Sequence, residues 1–262
     1  MIKLIATDID GTLVNDAKDF PPDLDKLIKA LHKKGIKFVA ASGRSYVTLK
    51  DNFKQWEGMV DFICDNGAFI MANGKPMGFH PLPSDKISGI LSHILNVKNT
   101  HIILCGEKGT YHYDYSKEFT KEVARFYSNQ IIVDDLFSVN DNFMKIAIFN
   151  PYKPSTETYK DLKKGFPDDL DLIISGDFWI DVMPKNISKG KALKLLQQHY
   201  NIKKDNTLAF GDFNNDIEML MNAEFSYAME NASDEIKSIA KYIAPSNNEW
   251  GVVKVIRQLC KI

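Results

Sequence analysis

The chain has 262 residues, enough for one large domain or two smaller ones, and its 44% hydrophobic and 26% charged residues are the balance of an ordinary globular protein. A formal net charge of −1 argues against a nucleic-acid partner, and no apolar run approaches the ~18 residues of a membrane span. The three cysteines, Cys64, Cys105 and Cys260, are odd in number and far apart, which suits a reducing cytoplasm rather than a disulfide framework or a zinc site.

Met1–Ala6 runs straight into an acidic cluster at Asp8, so no leader is expected and the location is expected to be cytoplasmic. The first eighty residues alternate strand and helix. Lys3 to Asp8 is a buried-strand candidate. Pro21 and Pro22 open a helix whose Leu24, Leu27, Ile28 and Leu31 share one face, and Gly35 ends it. Strands are expected at 36–41 and 60–64. Asn73-Gly74, between two apolar runs, signals a hairpin.

From about residue 84 the pattern changes. Strand-like segments at 100–105, 109–113, 143–149, 170–175 and 177–183 alternate with amphipathic stretches near 85–96, 116–128 and 155–165. Short glycine turns, Gly106 to Gly109 and Ser175-Gly176, make several of these strands antiparallel. After Pro184 the βα alternation returns: a helix from Ser188, a strand at 208–210, a helix from Asn214, a strand near Phe225, a helix near 233–241 and a C-terminal helix from Trp250. The expected fold is α/β, a Rossmann-like doubly wound parallel sheet core made from residues 1–83 and 184–262, with an inserted α+β domain at 84–183.

Four segments fall at the carboxyl ends of expected core strands, where such sheets bind ligands. They are Asp8-Ile9-Asp10-Gly11-Thr12, Ser42-Gly43-Arg44, Lys189 behind the N-cap candidate Ser188, and Gly211-Asp212-Phe213-Asn214-Asn215-Asp216. Each has a bland reading by itself, as a turn, a capping loop or a solvated lysine. The last segment starts like a calcium loop, but Ile217 and Ala223 stand where that loop needs glycine and glutamate. Together they make a pocket of four carboxylates, a lysine, a serine and several backbone amides. Carboxylates at contact distance repel by roughly 1–4 kcal/mol per pair. Such a cluster needs cations, and hard oxygen donors are what magnesium prefers.

These residues resemble the haloacid dehalogenase-like hydrolase superfamily, and within it the Cof-type phosphatases. The motifs read DIDGTL at 8–13, ASGR at 41–44, SKGKAL at 188–193 and GDFNNDIEML at 211–220; AMENA at 228–232 and SNNEWGV at 246–252 are also similar to that branch. The chain departs from the pattern at Glu230, usually glycine, and at Ser42, more often threonine, which keeps the hydroxyl. The resemblance implies a cytoplasmic Mg2+-dependent phosphatase of small-molecule phosphate esters, with no nucleic-acid or membrane partner. It implies Asp8 as nucleophile and Asp10 as general acid and base. It implies magnesium held by Asp8, the Asp10 carbonyl and Asp212, with Asp216 acting through a metal-bound water or by orienting Lys189. Ser42, Gly43, Lys189 and Asn215, with amides near Gly11 and Thr12, would hold the phosphoryl oxygens. Arg44 would reach the leaving group or lock the inserted domain, which would act as a cap, unless it forms a plain surface pair.

A sugar phosphomutase, or a non-catalytic module that binds a phosphorylated metabolite, would fit the same motifs. Asn66-Gly67 is either a turn or part of the site mouth. Lys145 and Trp179 are candidates for the cap face that meets the leaving group, Lys145 alternatively lying on a solvated strand face and Trp179 in the cap core. His80, His101 and His112 show no ligand spacing and read as structural.

Overall fold

A computed structural model describes residues 1–127 and 129–262. The chain divides into two compact units. Met1–Gly43, Leu49–Gly78 and Ser188–Ile262 form the first; Arg44–Thr48 and Phe79–Ile187 form the second. Sequence reading placed the insert at 84–183; the second unit's long segment runs a few residues further at both ends.

In chain order the elements are β1 (Leu4–Thr7), α1 (Leu24–Lys33), β2 (Lys37–Ala41), α2 (Tyr46–Asn52), β3 (Val60–Cys64), β4 (Phe69–Ala72) and β5 (Lys75–Phe79). The second unit follows with α3 (Ile87–Leu95), β6 (His101–Gly106), β7 (Thr110–His112), α4 (Lys117–Ala124), β8 (Gln130–Ile132), β9 (Phe143–Phe149), α5 (Ser155–Lys163), β10 (Leu170–Gly176) and β11 (Trp179–Pro184). The chain returns to the first unit through α6 (Lys189–Tyr200), β12 (Thr207–Gly211), α7 (Ile217–Met221), β13 (Phe225–Met229), α8 (Asp234–Ile239), β14 (Tyr242–Ala244) and α9 (Gly251–Cys260).

The first unit holds an eight-stranded sheet in the order β14-β13-β12-β1-β2-β3-β4-β5. From β14 to β3 all neighbours are parallel, and β4 returns antiparallel to β3. Asn73 and Gly74, with φ of +50° and +72°, supply the left-handed pair that the tight β4–β5 turn requires. On one face Leu4, Ala6, Val39, Ala41, Ile63 and Ala209 pack against Leu193 and Leu196 of α6, Leu220 of α7 and Ile236 of α8. The alternate residues Ile5, Phe38, Ala40, Leu208 and Phe210 are buried as well. Both faces are therefore covered, which is why these strands read as continuous apolar runs. The chain winds away from β1 in opposite directions, through β2 and β3 on one side and β12, β13 and β14 on the other. The β1/β12 boundary is thus a topological switch point.

The second unit holds a six-stranded sheet in the order β10-β11-β9-β6-β7-β8, antiparallel except for the β7–β8 pair. Gly106 N–H donates to the Gly109 carbonyl at 2.9 Å and closes the expected β6–β7 turn. Leu104, Ile146, Ile148, Val182 and Leu172 pack with Ile90, Leu91, Ile94 and Leu162 of α3 and α5. A second cluster joins Ile103, Cys105 and Ala147 to Phe119 and Val123 of α4 and to Tyr127. The expected amphipathic stretch near 116–128 forms α4 over Lys117–Ala124; Ser128 lies outside the described residues.

Lys145 does not lie on a solvated face. It is 3% exposed, and its Nζ meets Asp181 Oδ2 at 3.0 Å. Trp179 packs on the Phe149 ring, 4.7 Å away, and on Phe126. His101 stacks on Tyr115 at 4.2 Å, and both His101 and His112 lie edge-on to Phe119. Among the described residues no helix is long and apolar enough to cross a membrane.

Candidate active site

Asp8 follows β1 and Asp212 follows β12, so the parallel pairing of these strands at the switch point brings two carboxylates together. Lys189 is the first residue of α6, whose N-terminus Ser188 caps by accepting from the Lys191 N–H at 3.2 Å. A lysine there opposes the helix dipole, and this one is also buried, at 1% exposure. Its Nζ donates to Asp8 Oδ1 at 2.6 Å and to Asp216 Oδ1 at 2.7 Å. Placing a cation at the positive end of a helix in the core makes sense only if stronger negative charge faces it. Asp8, Asp212 and Asp216 supply that charge, each offering an oxygen within 4.8 Å of the others.

Burial works to lower the Lys189 pKa, but Asp216 and Asp8 outweigh it and hold the ammonium above its ordinary range. Burial raises the Asp8 pKa well above that of an ordinary carboxyl; Lys189 opposes the shift and the Asp216 and Asp212 charges add to it. Asp212 is pushed up to about 7 by burial and by Asp216, against the Thr12 hydrogen bond and Lys189. One lysine is too little positive charge for three carboxylates. Oxygen-only donors short of positive charge fit a hard divalent cation such as magnesium.

Asp216 already has partners for both oxygens. Besides Lys189, it accepts from the Asp212 and Phe213 backbone N–H groups through Oδ2 at 3.1 and 3.2 Å. These bonds tie Asp216 both to Lys189 and to the Asp212 loop. Thr12 donates its hydroxyl to Asp212 Oδ1 at 2.7 Å, tying the β1 loop to the β12 loop. Gly11 takes φ +76°, and a Cβ there would press on Asp212 Oδ2, so any larger residue would be strained and would push the Asp212 carboxylate aside. Asp10 points its carboxylate to a partner that sequence reading missed, Lys18, with Nζ 2.8 Å from Oδ1.

On the β2 side, Ser42 is buried and donates its backbone N–H to the Ile63 carbonyl at 2.8 Å. Asn66, at φ +54° and 1% exposed, accepts from Asn215 Nδ2 at 2.9 Å, and its Oδ1 lies 3.3 Å from where a Gly43 Cβ would stand. Gly43, Asn66 and Asn215 therefore share one corner of the first unit. Arg44, 9% exposed, belongs to the second unit.

Sequence reading also missed the partners of the β1–α1 loop. Asn231 Nδ2 donates to the Gly11 carbonyl at 2.8 Å. Asn247 Nδ2 donates to the Val14 carbonyl and to Asp16 Oδ1. The AMENA and SNNEWGV segments hold these asparagines, but contacts more than two hundred residues apart leave no local signal.

A family model described as haloacid dehalogenase-like hydrolase matches residues 5–256. The chain is similar to a protein of Escherichia coli named 5-amino-6-(5-phospho-D-ribitylamino)uracil phosphatase, with 32% identity over 99% of this chain and 97% of that protein. A Bacillus subtilis protein of the same name is 28% identical over 98% of this chain and 95% of its own. The solved structure of SMU.1108c from Streptococcus mutans is 31% identical and superposes with a TM-score of 0.92, covering 100% of both chains.

Proposed function

Since the chain belongs to the haloacid dehalogenase-like hydrolases and is a phosphatase, we propose that it hydrolyses small phosphate esters with magnesium, through an aspartyl-phosphate on Asp8. The observation that carries this reading is the group of buried Asp8 and Asp216 and half-buried Asp212 around Lys189.

In this reading Asp8 attacks the phosphorus, forming an Oδ–P bond while the bond to the leaving oxygen breaks. Asp10 gives that oxygen its proton. Asp10 then takes a proton from water, whose oxygen joins the phosphorus as the Asp8–phosphorus bond opens. Lys189, held by Asp216, aims the Asp8 carboxylate and offsets negative charge on the phosphoryl group. Ser42, the Gly43 and Thr12 amides and Asn215 bind the phosphoryl oxygens. Asp8 and Asp212, with the Asp10 carbonyl, would hold the magnesium ion. When bound, that ion neutralises charge on the nucleophile and the phosphate. Residues 84–183 would act as the cap domain that selects the leaving group. The names of the Escherichia coli and Bacillus subtilis relatives put a phosphorylated polyol joined to a heterocycle first among esters to try.

Phosphate release from a panel of such esters, with magnesium and with a chelator, tests the proposal. Stoichiometric phosphate that stops with chelation and returns with magnesium is expected. Turnover indifferent to the chelator would overturn the metal dependence, and no release from any ester with magnesium would overturn hydrolysis of small esters.

A further inference from the structure

The loop from Asp10 to Asp19 closes on itself and is held to two distant segments. Asn15 N–H donates to the Asp19 carbonyl at 3.2 Å, and Asn15 Oδ1 accepts from the Asp19 N–H at 2.8 Å. Within this closed turn Lys18 takes a φ of +69°. A lysine pays a strain of about 1–3 kcal/mol to sit in that region, where glycine would sit freely. Its ammonium ends 2.8 Å from Asp10 Oδ1, and both side chains are partly exposed. Ion pairs of that kind add about 0–1 kcal/mol to stability. That ion pair alone therefore does not offset the strain of the lysine at this position.

The loop's other anchors are carboxamides. Asn231 Nδ2 holds the carbonyl of Gly11, the residue after Asp10, and Asn231 Oδ1 accepts from the Asn247 N–H at 3.1 Å. Asn247 is 1% exposed, and its Nδ2 holds the Val14 carbonyl at 3.1 Å and Asp16 Oδ1 at 3.0 Å. Asn248 completes the grip, with Nδ2 on Asp16 Oδ2 at 2.9 Å and Oδ1 accepting from the Asp16 N–H at 3.1 Å. Thus the backbone on the far side of Asp10 is gripped from the C-terminal part of the chain, and its carboxylate is gripped by Lys18. A proton donor that must also serve as acceptor has to keep one orientation through both halves of a reaction.

We propose that Lys18, Asn231 and Asn247 are positioning residues for Asp10, fixing the loop and the carboxylate so that one oxygen pair of donor and leaving group stays aligned. This rests on the reading of Asp10 as general acid and base. The test compares single-turnover phosphorylation of the enzyme by p-nitrophenyl phosphate, whose leaving group hardly needs a proton, with that by phenyl phosphate, whose leaving group does, both with saturating magnesium. Lys18→Gly removes the ammonium and relieves the strained φ, so its melting temperature should stay near that of the unaltered protein. Its ratio of p-nitrophenyl to phenyl rates should rise about tenfold or more, within the range that general acid catalysis supplies. Asn231→Ala should raise the ratio in the same direction, Lys18→Arg should restore it, and Asp10→Asn should raise it most. A ratio within about twofold of the unaltered enzyme for both Lys18→Gly and Asn231→Ala, with Asp10→Asn still raising it, overturns the positioning roles and leaves Asp10 in place. An unchanged ratio for Asp10→Asn overturns the reading of Asp10 and the proposal with it.

Discussion

Two buried lysines, one in each unit, invite comparison. Lys189 is 1% exposed and lies between Asp8 and Asp216, with Asp212 in the same group. Lys145 is 3% exposed and is paired with Asp181, with the Tyr127 ring 5.6 Å from its ammonium. Around Lys189 the carboxylates outnumber the cation, and the pKa values of Asp8 and Asp212 rise. Around Lys145, among the described residues, no group of three metal-ligating side chains forms. Burial of a lysine is therefore a weak sign of chemistry; an excess of carboxylates around it is the stronger one. A buried pair with its charges matched is more often a feature that apolar residues of the same size can replace.

The largest expected effect is at the first lysine's partner. Asp8→Asn should lower kcat/KM at least about a thousandfold, a barrier rise of ~4 kcal/mol or more. Circular dichroism should show the fold intact, since the amide is the same size as the carboxylate. Next comes the second lysine. Lys145→Ala removes the cation from beside the buried Asp181 and should cost about 3 kcal/mol in denaturant unfolding. Replacing both partners, Lys145→Met with Asp181→Leu, should recover most of that loss and keep the dephosphorylation rate. Loss of dephosphorylation in the double variant would make the two lysines alike and break the comparison.

The comparison also shows how far sequence carried. Three of the four segments were legible because β1, β2 and β12 are short apolar runs that end in polar residues. The fourth, expected at a core strand end, instead opens α6 with Lys189, and the strand before it, β11, belongs to the second unit's sheet. The burial of Lys145 was not. A lysine among Met144, Ile146 and Ala147 fits a strand with one wet face, and only the cross-sheet neighbour Asp181 changes that reading. Lys18 was hidden because its reach to Asp10 depends on a left-handed backbone that nothing in the local sequence demands. The small elements α2, β8 and β14 were missed for a related reason. β8 and β14 are three-residue strands with most side chains half-buried or exposed, so tertiary pairing rather than periodicity defines them.

Smaller effects sharpen the contrast. Asp212→Ala should raise the magnesium concentration for half-maximal activity by at least about tenfold. An unchanged titration would remove Asp212 from the metal site. In the second unit, burial lowers the His101 pKa, and its Nδ1 has no hydrogen-bond partner. Above the ordinary histidine value of about 6.5 both folded and unfolded states hold it neutral. Below that pH the unfolded chain takes up the proton first, so stability should fall as pH drops through the depressed folded pKa. His101→Phe should flatten the fall in melting temperature between pH 7 and pH 5. A slope equal to that of the unaltered protein would place the acid sensitivity elsewhere.

The central claim is that Asp8 carries the phosphoryl group, and rapid acid quench followed by peptide mass analysis tests it most directly. In the proposed mechanism Asp10 activates the water, so Asp10→Asn should slow hydrolysis of the intermediate. Mixed with p-nitrophenyl phosphate and magnesium, this variant should accumulate phosphate on the peptide containing Asp8, and the label should vanish in the Asp8→Asn, Asp10→Asn double variant. Release of p-nitrophenol in the first turnover with no label on that peptide at any time would contradict the account.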